Sequence, residues 1–236
     1  MAASARRGAG PVETNVEVYR RLREAIVRGR FQPNERLVEA DLARLLGAGR
    51  TTIRAALVRL DQEGMVTREP NRGARVRLLS DREALEIEEV RAALEQLIAR
   101  QAAANVTRAD LRDLNRMLSA MRRRVEESDP LGYSELNGQF HQRIWTIADH
   151  VTASSLVATL KSQAIRFQYR TILQPGRTQR SLREHEAIVA ALAERDPEGC
   201  EAAMREHLSH VVETLRWAIG RHREADLQPT SSAALP

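Results

Sequence analysis

Apolar residues recur at helical spacing from Thr14 to Arg28, with Val18, Leu22, Ala25 and Ile26 on one face, until Gly29 and Pro33 close the element. Shorter helices fit Glu39 to Leu46, ended by Gly47, and Arg50 to Glu63, with Ile53, Leu57 and Leu60 inward and Gly64 as the stop. The period then changes. Met65 to Glu69 and Ala74 to Leu78 alternate and carry enough β-branched residues to be strands, joined by the turn Pro70-Asn71-Arg72-Gly73. Ser80 with Glu83 three residues on forms a capping-box pattern, and helical periodicity then persists almost to the end. It predicts helices at about 81–104, 107–128, 131–149, 152–173, 178–194 and 197–221, with breaks at Thr107, Asp129-Pro130, Pro175-Gly176 and Asp196-Pro197. No strand candidate follows Leu79. Residues 1–13 read as a loose arm and 223–236 as a disordered tail.

The fold class is therefore mainly α. Residues 14–79 are expected to form a winged helix-turn-helix, and 81–222 an all-α helical bundle. Charge divides the chain at the same place. Residues 1–79 hold 16 Arg against 9 acidic residues, net +7, whereas the remainder has 21 basic and 23 acidic residues, net −2. A basic module ahead of a mildly acidic one suggests a polyanion reader joined to something else. Aromatics at 3% argue against single strands or RNA, whose bases stack on aromatic platforms. The lone Cys200 cannot form an internal disulfide, and neither a signal peptide nor a run of about 20 apolar residues is visible. These features lead to the expectation of a cytoplasmic protein without a membrane association.

In a winged helix-turn-helix the second helix braces the third so that the N-terminal residues of the third enter a major groove. Here those residues are Arg50, Thr51, Thr52 and Arg54. Arginine can grip guanine O6 and N7 in a bidentate manner, and threonine can reach bases or phosphates. The turn of the hairpin adds Arg72 and Gly73, the glycine allowing close approach of the backbone to DNA.

The segment Val18 to Val76 resembles the DNA-binding domain of the GntR family of bacterial regulators. The matching residues include Leu22-Arg23-Glu24-Ala25-Ile26, Gly29, Pro33, Glu35-Arg36-Leu37, Leu46-Gly47, Arg50-Thr51, Arg54-Ala55-Ala56-Leu57, Gly64 and Asn71-Arg72-Gly73-Ala74. The resemblance implies that Arg50 and Arg54 contact the operator from the recognition helix, and Arg72 and Gly73 from the wing. Departures from the family pattern are Asn34 for glycine, Gly49 for serine and Thr52 for proline. Gly49 weakens the cap of the recognition helix by a few tenths of a kcal/mol.

All six histidines follow residue 140. Asn137 and His141 are four apart and share a helix face, His185 lies in the penultimate helix, and His207 and His210 lie in the last. Three imidazoles and one oxygen on facing helices can hold a divalent metal, although spacing alone does not bring them together. Residues 81–221 resemble the FCD effector domain. The resemblance rests on Glu89-Val90-Arg91, Leu94-Glu95, Asn137, Phe140-His141, Glu184-His185, Asp196 and His207-Leu208. It implies a metal held by Asn137, His141, His185 and His207. Asp is the commoner residue at the first of these, and an Asn carbonyl is a neutral, weaker donor. Zinc or nickel suits three imidazoles. Arg91 is the candidate second anchor for an effector carboxylate, or else the partner of Glu95 one helical turn away.

An enzyme could use the same histidines, but the zincin-like start His185-Glu186 is followed at the fourth position by Val189 rather than a second ligand, and no phosphate loop or nucleophile motif is present. An architectural DNA-binding protein would have little use for a separate pocket. The expectation is a homodimeric transcriptional regulator acting on a near-palindromic double-stranded operator, most simply a repressor, controlled by a small carboxylate.

Overall fold

Thr14 opens the first helix, its hydroxyl oxygen accepting the Glu17 backbone N–H at 3.3 Å. That helix, α1 (Asn15–Val27), buries Val18, Leu22 and Ile26. The computed structural model describes residues 14–69 and 73–227, with the side chains of all these except 165–166, 169–170 and 222–227. The chain divides between Leu79 and Ser80 into two units.

In the first unit, α1 is followed by β1 (Arg36–Leu37), α2 (Glu39–Leu46), α3 (Arg50–Gln62), β2 (Val66–Glu69) and β3 (Gly73–Val76). The strands form an antiparallel sheet in the order β1-β3-β2. One core joins the helices to the sheet through Leu22, Leu37, Ile53, Leu57, Leu60 and Val76.

β1 is the element that periodicity missed, because two residues are too short to show alternation. Tertiary pairing creates it: Asn34 donates its backbone N–H to the Val76 carbonyl at 2.8 Å, and Val76 donates to Glu35 at 2.9 Å. The chain reaches this register by placing Asn34 at φ 64°, a left-handed conformation that Asn tolerates better than most residues. That accounts for Asn where the family has glycine. Gly73 has φ +89°, and a Cβ there would lie 2.4 Å from the Leu37 carbonyl oxygen. Its smallness is thus required by the β1–β3 contact. Gly73→Ala is expected to destabilise the wing by more than about 2 kcal/mol, seen as faster amide exchange at Arg75 and Val76; unchanged exchange there would contradict this account.

The second unit comprises α4 (Asp81–Asn105), α5 (Arg108–Glu126), α6 (Pro130–Ala148), α7 (Val151–Ile172), α8 (Arg177–Glu194) and α9 (Pro197–Leu227). Starts are capped as the sequence suggests. Ser80 Oγ accepts from Glu83 N, Thr107 and Asp110 form a capping box, and Asp129 caps α6 with Pro130 at its first position. α4 packs against α6, α7, α8 and α9. It is surrounded, so even its charged residues Glu88, Arg91 and Glu95 are buried. The unit's core runs through Ile98, Ala102, Leu114, Tyr133, Phe140, Ile144, Ile188 and Met204.

One expectation is corrected. α9 continues to Leu227, five residues into the stretch read as a tail, because nothing in 223–227 breaks a helix before Pro229. Residues 228–236 and the loose arm 1–13 lie outside the described residues. Among the described residues, no helix is long and apolar enough to cross a membrane.

Candidate functional sites: a helix N-terminus and a buried histidine cluster

α2 ends at Gly47 in the left-handed conformation, and α3 restarts at Gly49 with no side-chain cap. The first N–H groups of α3 therefore have no local side-chain acceptor, which favours an incoming phosphate. Arg50, Thr51 and Arg54 are exposed there, Thr52 is half-buried, and Ile53, Ala56 and Leu57 face the core. Arg54 is already engaged, its Nη2 donating to Glu39 Oε2 at 2.9 Å and its Nε to Oε1 at 3.2 Å. This pair ties α3 to α2. Arg72 lies outside the described residues, and Gly73 occupies the wing strand with the structural role given above.

In the second unit, α6, α8 and α9 bring His141, His185 and His207 together. All three are buried, and one nitrogen from each lies within 4.8 Å of the others. Two nitrogens on one tetrahedral zinc at about 2.1 Å are about 3.4 Å apart, so a separation near the 4.8 Å limit would have to close by a little over one ångström to hold the ion. The other ring nitrogens are spoken for. His141 Nδ1 lies 2.6 Å from Glu95 Oε2, His207 Nδ1 lies 2.7 Å from Glu184 Oε2, and His185 Nδ1 lies 3.3 Å from the Tyr133 hydroxyl. Carboxylates accept only, so Nδ1–H of His141 and His207 donates and each Nε2 keeps its lone pair. His185 Nε2 and Asn137 Oδ1 are both buried with no hydrogen-bond partner. Asn137 lines the same cavity as His141 and His207, and two orphaned lone pairs with two oriented imidazoles are donors of the kind that could serve a divalent cation.

Electrostatics keep these donors free. Burial pushes His185 well below its ordinary value, and pushes His207 down to about 4 against the opposing pull of Glu184. Burial also lowers His141, outweighing Glu95. For Glu184 burial acts upward, but the hydrogen bond from His207 and the charge of Arg177 hold the carboxyl at about 2. Glu95 likewise stays below its usual range, burial being overcome by His141 and Arg91. The histidines are thus neutral imidazoles, two of them backed by ionised carboxylates.

A pH dependence follows. The unfolded chain takes up imidazole protons below about pH 6.5, whereas folded His207 resists until about 4. Folding stability is therefore lost as pH falls through that window. The carboxylate contribution is lost in the same direction, between 4.5 and about 2 for Glu184. The metal-free chain is expected to melt at a lower temperature at pH 5 than at pH 7.5. A flat profile would mean that the imidazoles are accessible to protons when folded.

Beside the cluster lies a cavity of about 40 Å³, with Arg91, Asn137, His141 and His207 in its wall. Arg91 is buried and paired on its own helix, with Nη1 2.8 Å from Glu88 Oε1 and Nε 2.9 Å from Glu95 Oε1. Both sequence readings of Arg91 meet here, since the residue that pairs with Glu95 also faces the cavity.

The sequence places His210 one helical turn from His207, at the surface or in support of the site, and offers Glu95 only as a partner of Arg91; it does not single out Arg177 or the supporting role of Glu184. Glu95 and Glu184 orient two of the histidines, buried Arg177 donates to Glu184 at 3.0 Å, and His210 lies 2.8 Å from the other Glu184 oxygen. The dipeptide Glu184-His185 was visible, but the carboxylate serves His207 on α9 rather than its neighbour.

The fold and this site together define a DNA reader joined to a ligand-binding helical domain. Comparison with known families bears this out. Residues 14–76 match the model of bacterial regulatory proteins of the gntR family, and residues 86–210 match the FCD domain. The chain belongs to the GntR family, with an FCD effector domain, a family of transcriptional regulators rather than enzymes. It is 30% identical over 202 residues to the HTH-type transcriptional repressor RspR of Escherichia coli K12, covering 86% of this chain and 89% of that one. It is 29% identical to the Nta operon transcriptional regulator of Aminobacter aminovorans, covering 80% and 90%. In structure it is similar to E. coli McbR/YncC, with a TM-score of 0.77 at 23% identity over 88% of this chain and 99% of that one, a likeness of fold.

Proposed function

We propose that this regulator is a cytoplasmic, homodimeric repressor whose operator affinity is set by a small carboxylate bound beside a divalent metal in the helical domain. Asn137, His141, His185 and His207 hold the metal, zinc or nickel. The observation carrying this reading is the pair of buried, partnerless atoms His185 Nε2 and Asn137 Oδ1. A bound ion would supply coordination positions for a carboxylate oxygen. The residues themselves position, desolvate and charge-balance the ligand. Arg91 faces the cavity as a second anchor, with Glu88 and Glu95 fixing its guanidinium. Arg50, Thr51, Thr52 and Arg54 read the major groove, with Arg72 and Gly73 at the wing. Two readers held by a dimer match a near-palindromic site, and ligand binding shifts the population toward a state of different DNA affinity.

The test begins with selection of bound duplexes from a random pool by the full chain. A near-palindromic sequence is expected, and fluorescence anisotropy on it should fall when short carboxylates are added to metal-loaded protein but not to chelated protein. Equal binding to all duplexes would support an architectural role instead, and carboxylate release without metal would remove the ion from the mechanism.

A further inference from the structure

A second concavity of the helical domain is a groove of about 750 Å³ between the start of α8 and residues 213–221 of α9. It shares only Arg177 with the cavity beside the histidines, and that buried guanidinium is committed to Glu184 at 3.0 Å. Three exposed arginines, Arg180, Arg183 and Arg221, line the groove against one carboxylate, Glu213. Arg180 and Arg183 lie one turn apart on α8, where like charges repel. Other exposed arginines are paired within their own helix, as Arg20, Arg44, Arg82 and Arg116 are. Among the described residues, Arg180 and Arg183 have no such pair. The α9 side presents Trp217, 47% exposed, whereas the other tryptophan, Trp145, is 4% exposed. The Arg221 guanidinium lies 5.0 Å from the centre of the Trp217 ring.

We propose that this groove is a second ligand site, for a small phosphate ester bearing a planar ring, with the phosphate on Arg180 and Arg183 and the ring on Trp217 and Arg221. Three arginines against one glutamate leave two positive charges in surplus, and a phosphate monoester carries about −1.5 to −2 at neutral pH. The planar fork of arginine matches phosphate oxygens in pairs. A half-exposed indole in a concave wall is a stacking face for a flat ring, and a guanidinium beside it extends that face. The volume falls within the roughly 300–1,000 Å³ of small-molecule pockets, whereas the cavity beside the histidines, at about 40 Å³, admits no such ligand. The regulator thus takes a second input, independent of the metal.

AMP serves as the probe. It is titrated calorimetrically at pH 7.5 into the full chain with a chelator present, so that no metal offers its phosphate another site. Ribose 5-phosphate, which lacks the ring, and adenosine, which lacks the phosphate, are each expected to bind at least about tenfold more weakly. Replacing both Arg180→Ala and Arg183→Ala should weaken AMP at least about tenfold. Trp217→Leu should bring AMP down to the affinity of ribose 5-phosphate and abolish the change in tryptophan emission that AMP causes in the wild type. Each variant is first checked for wild-type circular dichroism. Should Trp217→Leu disturb α9, the exposed arginine pair and the three-ligand comparison in the wild type decide. Equal affinity for AMP, ribose 5-phosphate and inorganic phosphate would make the groove a patch for any anion and overturn the proposal. It is overturned as well if AMP does not bind, or if its affinity survives the arginine substitutions. None of these outcomes bears on the metal and carboxylate reading, which stands or falls by its own test.

Discussion

His185→Ala is expected to leave the chain unable to retain metal through dialysis, where the wild type retains about one ion per chain. A structural zinc site is worth about 10–16 kcal/mol over four ligands, roughly 3 kcal/mol each, so losing one weakens binding more than a hundredfold. His185 is the most informative of the three. Its Nε2 is fully buried and unpartnered, so without a cation it serves no purpose in the core. Removing metal from the wild type should therefore lower its melting temperature, because the ion binds only the folded cluster. The same chelation should leave His185→Ala unmoved. Glu184→Gln offers a graded companion: it keeps the shape but weakens the hold on His207 and His210. A loss of about 10–100-fold in affinity is expected for such an orienting group. Metal content and chelator response unchanged in His185→Ala would refute the site.

The histidine positions could be read along the chain, but their meeting could not. Asn137 and His141 fall on one face of α6 by spacing alone. The convergence of His141 with His185 and His207 depends on how three helices, α6, α8 and α9, pack, and only resemblance to a known family anticipated it. The supporting carboxylates were harder still. Glu88, Glu95 and Glu184 sit in sequences rich in charge, where an acidic residue usually faces water. They are buried because α4 has helices on several sides and α8 presses against α9. Periodicity fared best where elements were long and capped, as in α5, where Thr107 and Asp110 mark the start. It missed β1, whose two residues exist as a strand only through their pairing with β3. It also stopped α9 early, at residues that are good helix formers but carry no apolar stripe.

Arg50→Ala should abolish specific operator binding while leaving the melting curve and the oligomeric state unchanged. Arg50 is the first residue of α3, exposed, beside the uncapped helix N-terminus. A bidentate arginine–guanine contact is worth about 1–3 kcal/mol. In the proposed homodimer the contact would be lost at both half-sites, a combined cost of about 2–6 kcal/mol, enough to bring specific binding close to the non-specific level. Arg54→Ala provides the contrast. Its guanidinium is already held by both Glu39 oxygens, and contact with DNA must compete with that pair. Its loss should weaken operator binding less than Arg50→Ala, at a stability cost below about 1 kcal/mol because the pair is exposed. The salt dependence of binding separates the remaining roles. A phosphate contact at Arg50 would reduce the slope of log affinity against log salt by about one per half-site and weaken all sequences alike. A base contact would relax the preference at one position of each half-site. Full affinity in Arg50→Ala would remove α3 as the reading helix, and the DNA-contacting surface would then have to be sought on the wing.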